Sequence, residues 1–244
     1  MIYDAMDFVF DPPPEVKRAR RVLIKPNAGL PLPHPMTTSR ETLASIVKGI
    51  RKVSDADIIF LEGTYHGEPT RAVFKQLGYD FPRVIVLDVQ DCIAVEVENP
   101  LPKPFALANV WVPNIVLSCD YLISVASLKV YPSDGSFSVK NLVGLLPLSK
   151  YRGEGADRRA DLHRVGIQKV VADLYFTLPF DMGIIDGRKR FFGTGDDPTE
   201  GLVEEYGKIF VGEPFEVDKE VSETLDVETE YVRLIAQAKR EFGM

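Results

Sequence analysis

Residues 121–147 place an apolar run, a lysine and an amphipathic segment in immediate succession, and this order constrains the fold most strongly. The run at residues 121–126 is apolar throughout, which is typical of a buried strand. Lys129 stands at the far end of that strand, ahead of turn-forming residues. The hydroxyl of Ser136 is well suited to cap a helix that begins near Phe137. The stretch therefore predicts a strand, a loop and a helix around one polar site.

The predicted helix separates apolar from polar residues. One face carries four apolar side chains at helical spacing: Val139, Leu142, Val143 and Leu146. Lys140, Asn141 and Gly144 share the opposite side. A glycine on that side predicts that something approaches the helix closely, since glycine has no side chain. We therefore expect Lys140, Asn141 and Gly144 to face a ligand.

The rest of the chain alternates predicted strands with predicted helices. The strands lie at residues 22–24, 57–61, 83–87, 182–185 and 208–211, and the helices at 38–50, 69–77, 161–176 and 228–242. Short strands break this rhythm as an insertion around 95–117. The pattern predicts an α/β fold in one domain, 1–244, with a largely parallel open sheet covered by helices. A chain of 244 residues, 45% hydrophobic, can bury such a core.

Composition restricts the function classes. The net charge is −7, with 29 Lys and Arg against 36 Asp and Glu, and this disfavours nucleic-acid binding. The two cysteines are too few for an iron–sulfur cluster and are not spaced as a zinc motif. No apolar run has the length of a membrane helix, and the first residues do not resemble a signal peptide. We expect a soluble, cytoplasmic protein that binds neither nucleic acid nor membrane.

Distinctive polar residues follow the predicted strands. They are Lys25 with Asn27, Glu62 with His66, Lys129, and Asp186. Ligands of open α/β sheets bind beyond the carboxyl ends of the strands, so these side chains are candidate site residues. Helix-borne Lys140, Asn141 and His163 are further candidates.

The lysines indicate an anion site. Lys25, Lys129 and Lys140 each carry three donors and a full charge, which suits a carboxylate, a phosphate or a phosphorylated cofactor. A glycine-rich loop is predicted at 191–201, where Gly193, Gly195 and Gly201 offer backbone N–H groups to the same anion. The sequence contains neither a dinucleotide-binding fingerprint nor a P-loop, so it identifies no cofactor.

Two titratable pairs suggest proton chemistry. Glu62 with His66, and His163 with Asp186, would supply catalytic groups on two sides of a substrate carbon, as in racemases and isomerases. A metal held by His66, His163 and a carboxylate is an alternative, although no short-range ligand spacing predicts a metal site.

Five segments resemble the DUF362 family, in family order: VLIKPN, LEGTYHG, SLKVYPSDGSFSVKNLVGLLP, GIIDGRKRFFGTGDDPTEG and VGEPFEVDKE. The function of that family is undefined. Many of its members also carry a ferredoxin-like cysteine domain, which this sequence does not contain. The broad architecture is also similar to that of lactate racemase-type proteins.

Two functions from different classes follow. In the first, the chain is an enzyme whose lysine-lined cleft binds a small anionic substrate or cofactor. Lys25, Asn27, Lys129, Lys140, Asn141 and Gly144 would then bind this ligand. In the alternative, it is a non-catalytic module for a separate iron–sulfur protein, as the family resemblance implies. The sequence leaves the oligomeric state and the reaction open.

Overall fold

A computed structural model describes residues 1–132, 134–153, 159–194 and 199–243. The strands in these ranges are Ile2–Asp4 (β1), Arg21–Pro26 (β2), Asp57–Glu62 (β3), Val84–Asp88 (β4), Ala94–Glu98 (β5), Asn109–Pro113 (β6), Tyr121–Tyr131 (β7), Asp134–Ser136 (β8), Met182–Gly193 (β9) and Gly201–Gly212 (β10). The helices are Arg40–Val53 (α1), Thr70–Leu77 (α2), Asn114–Ser118 (α3), Ser138–Asn141 (α4), Leu148–Tyr151 (α5), Ala160–Arg164 (α6), Ile167–Thr177 (α7), Pro214–Leu225 (α8) and Glu230–Phe242 (α9). None of these helices is both long and apolar enough to cross a membrane.

The main sheet has the strand order β1-β10-β9-β7-β2-β3-β4, and β8 pairs with β7. Strands β9, β7, β2, β3 and β4 run parallel to one another. At one edge, β10 pairs antiparallel with β9, and β1 pairs antiparallel with β10. The carboxyl ends of β2, β3 and β7 therefore lie side by side. This edge of the sheet positions the site described below.

Helices cover both faces of the sheet. Alternate strand residues such as Ile24 and Phe60 pack on one face with α1 and α2. Their neighbours, such as Leu23 and Ile59, pack on the other face with α6 and α7. Burial on both faces explains why these strands are continuous apolar runs. The predicted α/β class, with a largely parallel sheet covered by helices, is confirmed.

The insertion predicted around 95–117 is a two-stranded antiparallel sheet of β5 and β6, followed by α3. A buried carboxylate on α7 holds the loop between the strands. Asp173 accepts hydrogen bonds from the backbone N–H groups of Phe105, Ala106 and Leu107 at 2.8–3.0 Å. It also accepts one from Asn99 Nδ2 at 2.8 Å. These hydrogen bonds give the buried Asp173 carboxylate a structural role in the insertion.

The hairpin of β9 and β10 corrects two predictions. The strand predicted to end at Asp186 continues to Gly193, and the strand predicted at 208–211 begins at Gly201. The two ends of the predicted glycine loop, residues 191–193 and Gly201, are therefore strand, while Gly195 lies outside the described residues. The charged residues of β9 and β10 are typical of a loop in sequence. In the structure they face one another across the hairpin, as in the Arg190–Glu204 ion pair at 2.8 Å.

Two helix predictions also change, and one helix has no counterpart among the predictions. The helix predicted at 161–176 is divided into α6 and α7 at Gly166, whose φ of 98° is outside the helical range. Helix α1 begins at Arg40, two residues later than predicted, and Ser39 caps it by accepting a hydrogen bond from Thr42 N. Helix α8 was not predicted from the sequence.

The helix predicted to begin near Phe137 is α4, which we call the central helix, and its first residues bind a buried carboxylate. Ser136 belongs to β8, so its predicted capping role is wrong. Asp218 of α8 accepts hydrogen bonds from Ser138 N, Ser138 Oγ and Val139 N at 2.6–2.9 Å, and from Tyr231 Oη at 2.8 Å. Burial raises the pKa of Asp218 to about 6, so the carboxyl group is ionised at neutral pH. A side chain distant in sequence thus does what Ser136 was expected to do.

Replacing Asp218 by asparagine tests this role. The amide keeps the shape but offers an NH₂ group where the carboxylate accepted, which leaves a buried donor unsatisfied. We expect a loss of about 1–3 kcal/mol in the free energy of unfolding, measured by urea denaturation. Glu216→Gln on the exposed side of the same helix is the control and should change little. Equal stabilities of the two variants would contradict the assignment.

Candidate functional site

The ends of β2 and β3 carry a buried ion pair. Lys25 Nζ lies 2.7 Å from Glu62 Oε2, and each residue is only 1% exposed. The ammonium also donates to the Pro26 carbonyl oxygen at 2.7 Å and to Asn141 Oδ1 at 3.1 Å. Burial lowers the pKa of Lys25, and the Glu62 carboxylate opposes this effect. All three ammonium hydrogens therefore have partners within the protein.

Glu62 is equally well bound. Its Oε2 atom accepts from Ala28 N at 2.9 Å as well as from Lys25, and Oε1 accepts from Gly63 N at 3.0 Å. These contacts join the loops after β2 and β3. The sequence predicted Glu62 as a catalytic group, and the geometry gives it in addition the position of a structural counter-ion.

Asn141, the last residue of α4, and Gly144, in the 3₁₀ helix Leu142–Leu145 that follows it, enclose this ion pair. Asn141 Nδ2 donates to the Lys25 carbonyl oxygen at 3.0 Å and to Ser124 Oγ at 3.1 Å. A Cβ atom at Gly144 would overlap Glu62 Oε1 and lie 2.8 Å from Lys25 Nζ. The prediction of a close approach to Gly144 is thus correct, and the groups that approach it belong to the protein itself. A side chain at position 144 would disturb the ion pair.

Lys129 lies on the part of β7 that extends past the end of β2. Its side chain is buried, and its ammonium donates to the Met36 carbonyl oxygen at 3.1 Å. With the Asn27 amide oriented so that its oxygen faces the ammonium, Asn27 Oδ1 also lies 3.1 Å from Lys129 Nζ. Burial lowers the pKa of Lys129 to about 8, and the positive charges of Lys140 and Lys25 add to the effect.

Lys140 is the more accessible lysine of the three. Its ammonium forms an ion pair with Asp134 at 2.7 Å and lies 5.8 Å from the centre of the Tyr131 ring. Gln168 also donates to Asp134 Oδ2. Lys140 therefore sits at the mouth of the site, between β8 and the first turn of the central helix.

Arg159 is a further cation that the sequence did not predict as part of the site. Its guanidinium donates to the carbonyl oxygens of Leu146, Gly63 and Gly144 at 2.7–3.2 Å. The residue is buried, and burial lowers its pKa. Residues 154–158, which precede it, lie outside the described ranges. Its partners are backbone atoms in distant segments, so no local pattern indicated it.

These side chains line a cavity of about 410 Å³. Its polar lining includes Lys25, Asn27, Glu62, Tyr65, Lys129, Tyr131, Asp134, Lys140, Asn141, Arg159 and His163. Leu30, Met36, Val143, Leu162 and Ile167 form apolar walls. The volume and the mixed lining suit a small molecule with one charged end. We refer to this cavity as the lysine cleft.

Residues 22–222 match the family described as "Domain of unknown function (DUF362)". The chain belongs to the DUF362 family. The matched range contains every residue of the lysine cleft named above. The family resemblance noted in the sequence is therefore confirmed. The description of the family assigns it no function.

Among solved structures, the lactate racemase apoprotein from Thermoanaerobacterium thermosaccharolyticum is similar to this chain. The TM-score is 0.55 and the sequence identity is 15%. The similarity covers 90% of this chain and 53% of that one, so the DUF362 chain spans about half the length of its structural neighbour. At this identity the similarity shows the fold alone. A search of the curated proteins gives no match.

The remaining predicted site residues are distributed unequally around the DUF362 fold. His163 lines the lysine cleft, whereas the cleft lining does not include His66 or Asp186. The His66 ring packs edge-on against Tyr65, with centroids 5.1 Å apart. Asp186 lies inside β9 and accepts from Ser39 N at 2.8 Å, because it faces the start of α1. In the described ranges, no three His, Cys, Asp or Glu side chains are grouped to hold a metal ion.

Two of the predicted anion-binding glycines have packing roles. Gly193 and Gly201 pair across the hairpin of β9 and β10. A Cβ atom at Gly193 would overlap the Tyr131 ring, and one at Gly201 would overlap the Phe192 carbonyl oxygen. The close packing of the hairpin explains these two glycines without an anion.

Proposed function

We propose that this DUF362 domain is an enzyme that binds a small organic anion, carrying a carboxylate or phosphate group, in the lysine cleft. One observation carries the proposal. Among the described residues that line the cleft, four side chains are cationic and two are carboxylates, in a chain whose net charge is −7. An acidic protein gains nothing in stability from such a surplus of buried positive charge, and a bound anion would neutralise it.

Two of these cations, Lys129 and Arg159, have no carboxylate partner among the described residues, and three backbone carbonyl oxygens hold Arg159. Glu62 neutralises Lys25, and Asp134 neutralises Lys140, each at 2.7 Å. Lys129 contacts two neutral oxygens, and no carboxylate of the described residues forms an ion pair with it. A ligand anion beside Lys129 would form a charge-assisted hydrogen bond where the protein supplies no counter-ion. His163, at the same cleft, is the candidate for proton transfer to or from the ligand.

A melting-temperature titration tests the proposal. Succinate or inorganic phosphate should raise the melting temperature of the full chain and saturate as the cleft fills, since a ligand that binds the folded state stabilises it by mass action. Sodium chloride at equal ionic strength is the control. A rise that continues linearly and is matched by chloride would indicate a general salt effect. That result would favour the non-catalytic alternative.

The affinity for the anion should also depend on pH. Lys129 is protonated below its pKa of about 8 and neutral above it, so the ammonium that attracts the anion is lost as pH rises through this value. We expect the affinity for succinate to fall by roughly tenfold or more as the pH rises through this value. A fall of this size corresponds to the loss of one hydrogen bond to a charged group. In Lys129→Met the affinity should be low and should not vary over the same range. An unchanged affinity in the native chain would contradict the role of Lys129.

A further inference from the structure

The amine of Lys129 differs from the other two lysines of the cleft in the number and charge of its partners. Lys25 has three acceptors, and one of them is a carboxylate. Lys140 is held by the Asp134 carboxylate. Lys129 has two acceptors among the described residues, the Met36 carbonyl oxygen and Asn27 Oδ1, and both are neutral.

Two neutral acceptors suit a neutral amine. An NH₂ group has two hydrogens, which match these two oxygens, and its lone pair is then available in a third direction. Loss of the proton breaks no ion pair, because no described carboxylate contacts Lys129. Burial and the neighbouring charges of Lys140 and Lys25 already favour the neutral form, so the pKa of Lys129 is lowered to about 8. About a tenth of Lys129 is therefore a neutral, nucleophilic amine at pH 7, and about half at pH 8.

The lysine cleft also gives a small carbonyl compound access to this amine. Lys129 lines the cavity of about 410 Å³, together with the apolar side chains of Met36 and Val143. Lys140 lines the same cavity, and its ammonium, one hydrogen of which goes to Asp134, can hold a carboxylate. An oxo acid has both features that this arrangement recognises, a carboxylate and an electrophilic carbon beside it.

We propose that Lys129 forms a Schiff base with the carbonyl carbon of a small oxo acid. This inference rests on the proposed function and narrows the substrate class of the enzyme to oxo acids. The Nζ lone pair forms a bond to the carbonyl carbon, the carbon–oxygen π bond breaks, and a proton passes from nitrogen to the oxygen to give a carbinolamine. The carbon–oxygen bond then breaks, the oxygen leaves as water with a proton from nitrogen, and the imine remains. No oxidant, reductant or further reactant is consumed. The protonated imine would serve as an electron sink for proton removal at the adjacent carbon.

Reductive trapping tests this assignment. The full chain is incubated with pyruvate and sodium borohydride, and peptide mass mapping locates lysines that gain a carboxyethyl group. At pH 8 we expect modification at Lys129 at a rate on the order of 10²-fold above that of a lysine with the ordinary pKa, and exposed Lys48 serves as the reference site. Lactate has no carbonyl group, so it should give no product and should slow the trapping of pyruvate.

Two variants test this inference, and the succinate titration of the native chain separates it from anion binding. Lys129→Arg cannot form an imine, so it should lose the trapped product. Lys48→Met, an exposed lysine away from the cleft, should keep both the trapped product and the saturable melting-temperature rise with succinate. Saturable anion binding without modification of Lys129, or modification spread evenly over the exposed lysines, would overturn the Schiff base. Loss of saturable anion binding in the native chain would instead overturn the proposed function.

Discussion

Replacement of Glu62 by glutamine is expected to destabilise the fold by about 3–5 kcal/mol, the usual cost of removing one partner of a buried ion pair. The amide has the size of the carboxylate but leaves the buried Lys25 ammonium without a counter-charge. The backbone N–H groups of Ala28 and Gly63 also lose a charged acceptor. Urea denaturation of the two proteins would measure the difference in the free energy of unfolding.

Two comparisons sharpen this result. Lys25→Met in the Glu62→Gln background should recover part of the loss, because the second change removes the unpaired ammonium. Asp55→Asn breaks an exposed ion pair with Arg83 at 3.0 Å and should cost less than about 1 kcal/mol. Native stability of Glu62→Gln, together with lost anion binding, would show that the carboxylate serves the ligand and not the fold.

The sequence predicted much of the sheet and part of the cleft. Strand periodicity and Pro26 indicated that Lys25 and Glu62 stand at the ends of neighbouring strands, because such signals are local. The ion pair between them joins residues 37 positions apart. The spacing of residues in the sequence does not predict that all three ammonium hydrogens of Lys25 form hydrogen bonds within the protein.

Asp186 and Arg159 illustrate the limits of local patterns. Asp186-Gly187 has the composition of a turn, yet the strand continues, and the carboxylate accepts a hydrogen bond from Ser39 N at the start of α1. Arg159 contacts three carbonyl oxygens brought together only by the folded chain. Asp218 similarly replaces Ser136 at the start of the central helix. In each case a partner distant in sequence decides the role of the residue.

The second large effect is expected for Lys129→Met. Methionine keeps the approximate length of the side chain and removes its charge, so the apolar volume of the lysine cleft changes little. The fold should not be weakened, because the variant no longer buries an ammonium without a counter-ion. Anion binding should fall by roughly 10- to 150-fold, which corresponds to about 1.5–3 kcal/mol for a hydrogen bond to a charged group.

Isothermal titration of succinate into the native chain, Lys129→Met and Lys48→Met measures this effect most directly. Lys48 is an exposed lysine of α1, so its replacement removes the same charge away from the cleft. We predict one saturable site in the native chain and in Lys48→Met, with affinity at least about tenfold lower in Lys129→Met. Equal affinities in all three proteins, or heat of dilution alone in the native chain, would contradict the lysine cleft as an anion site.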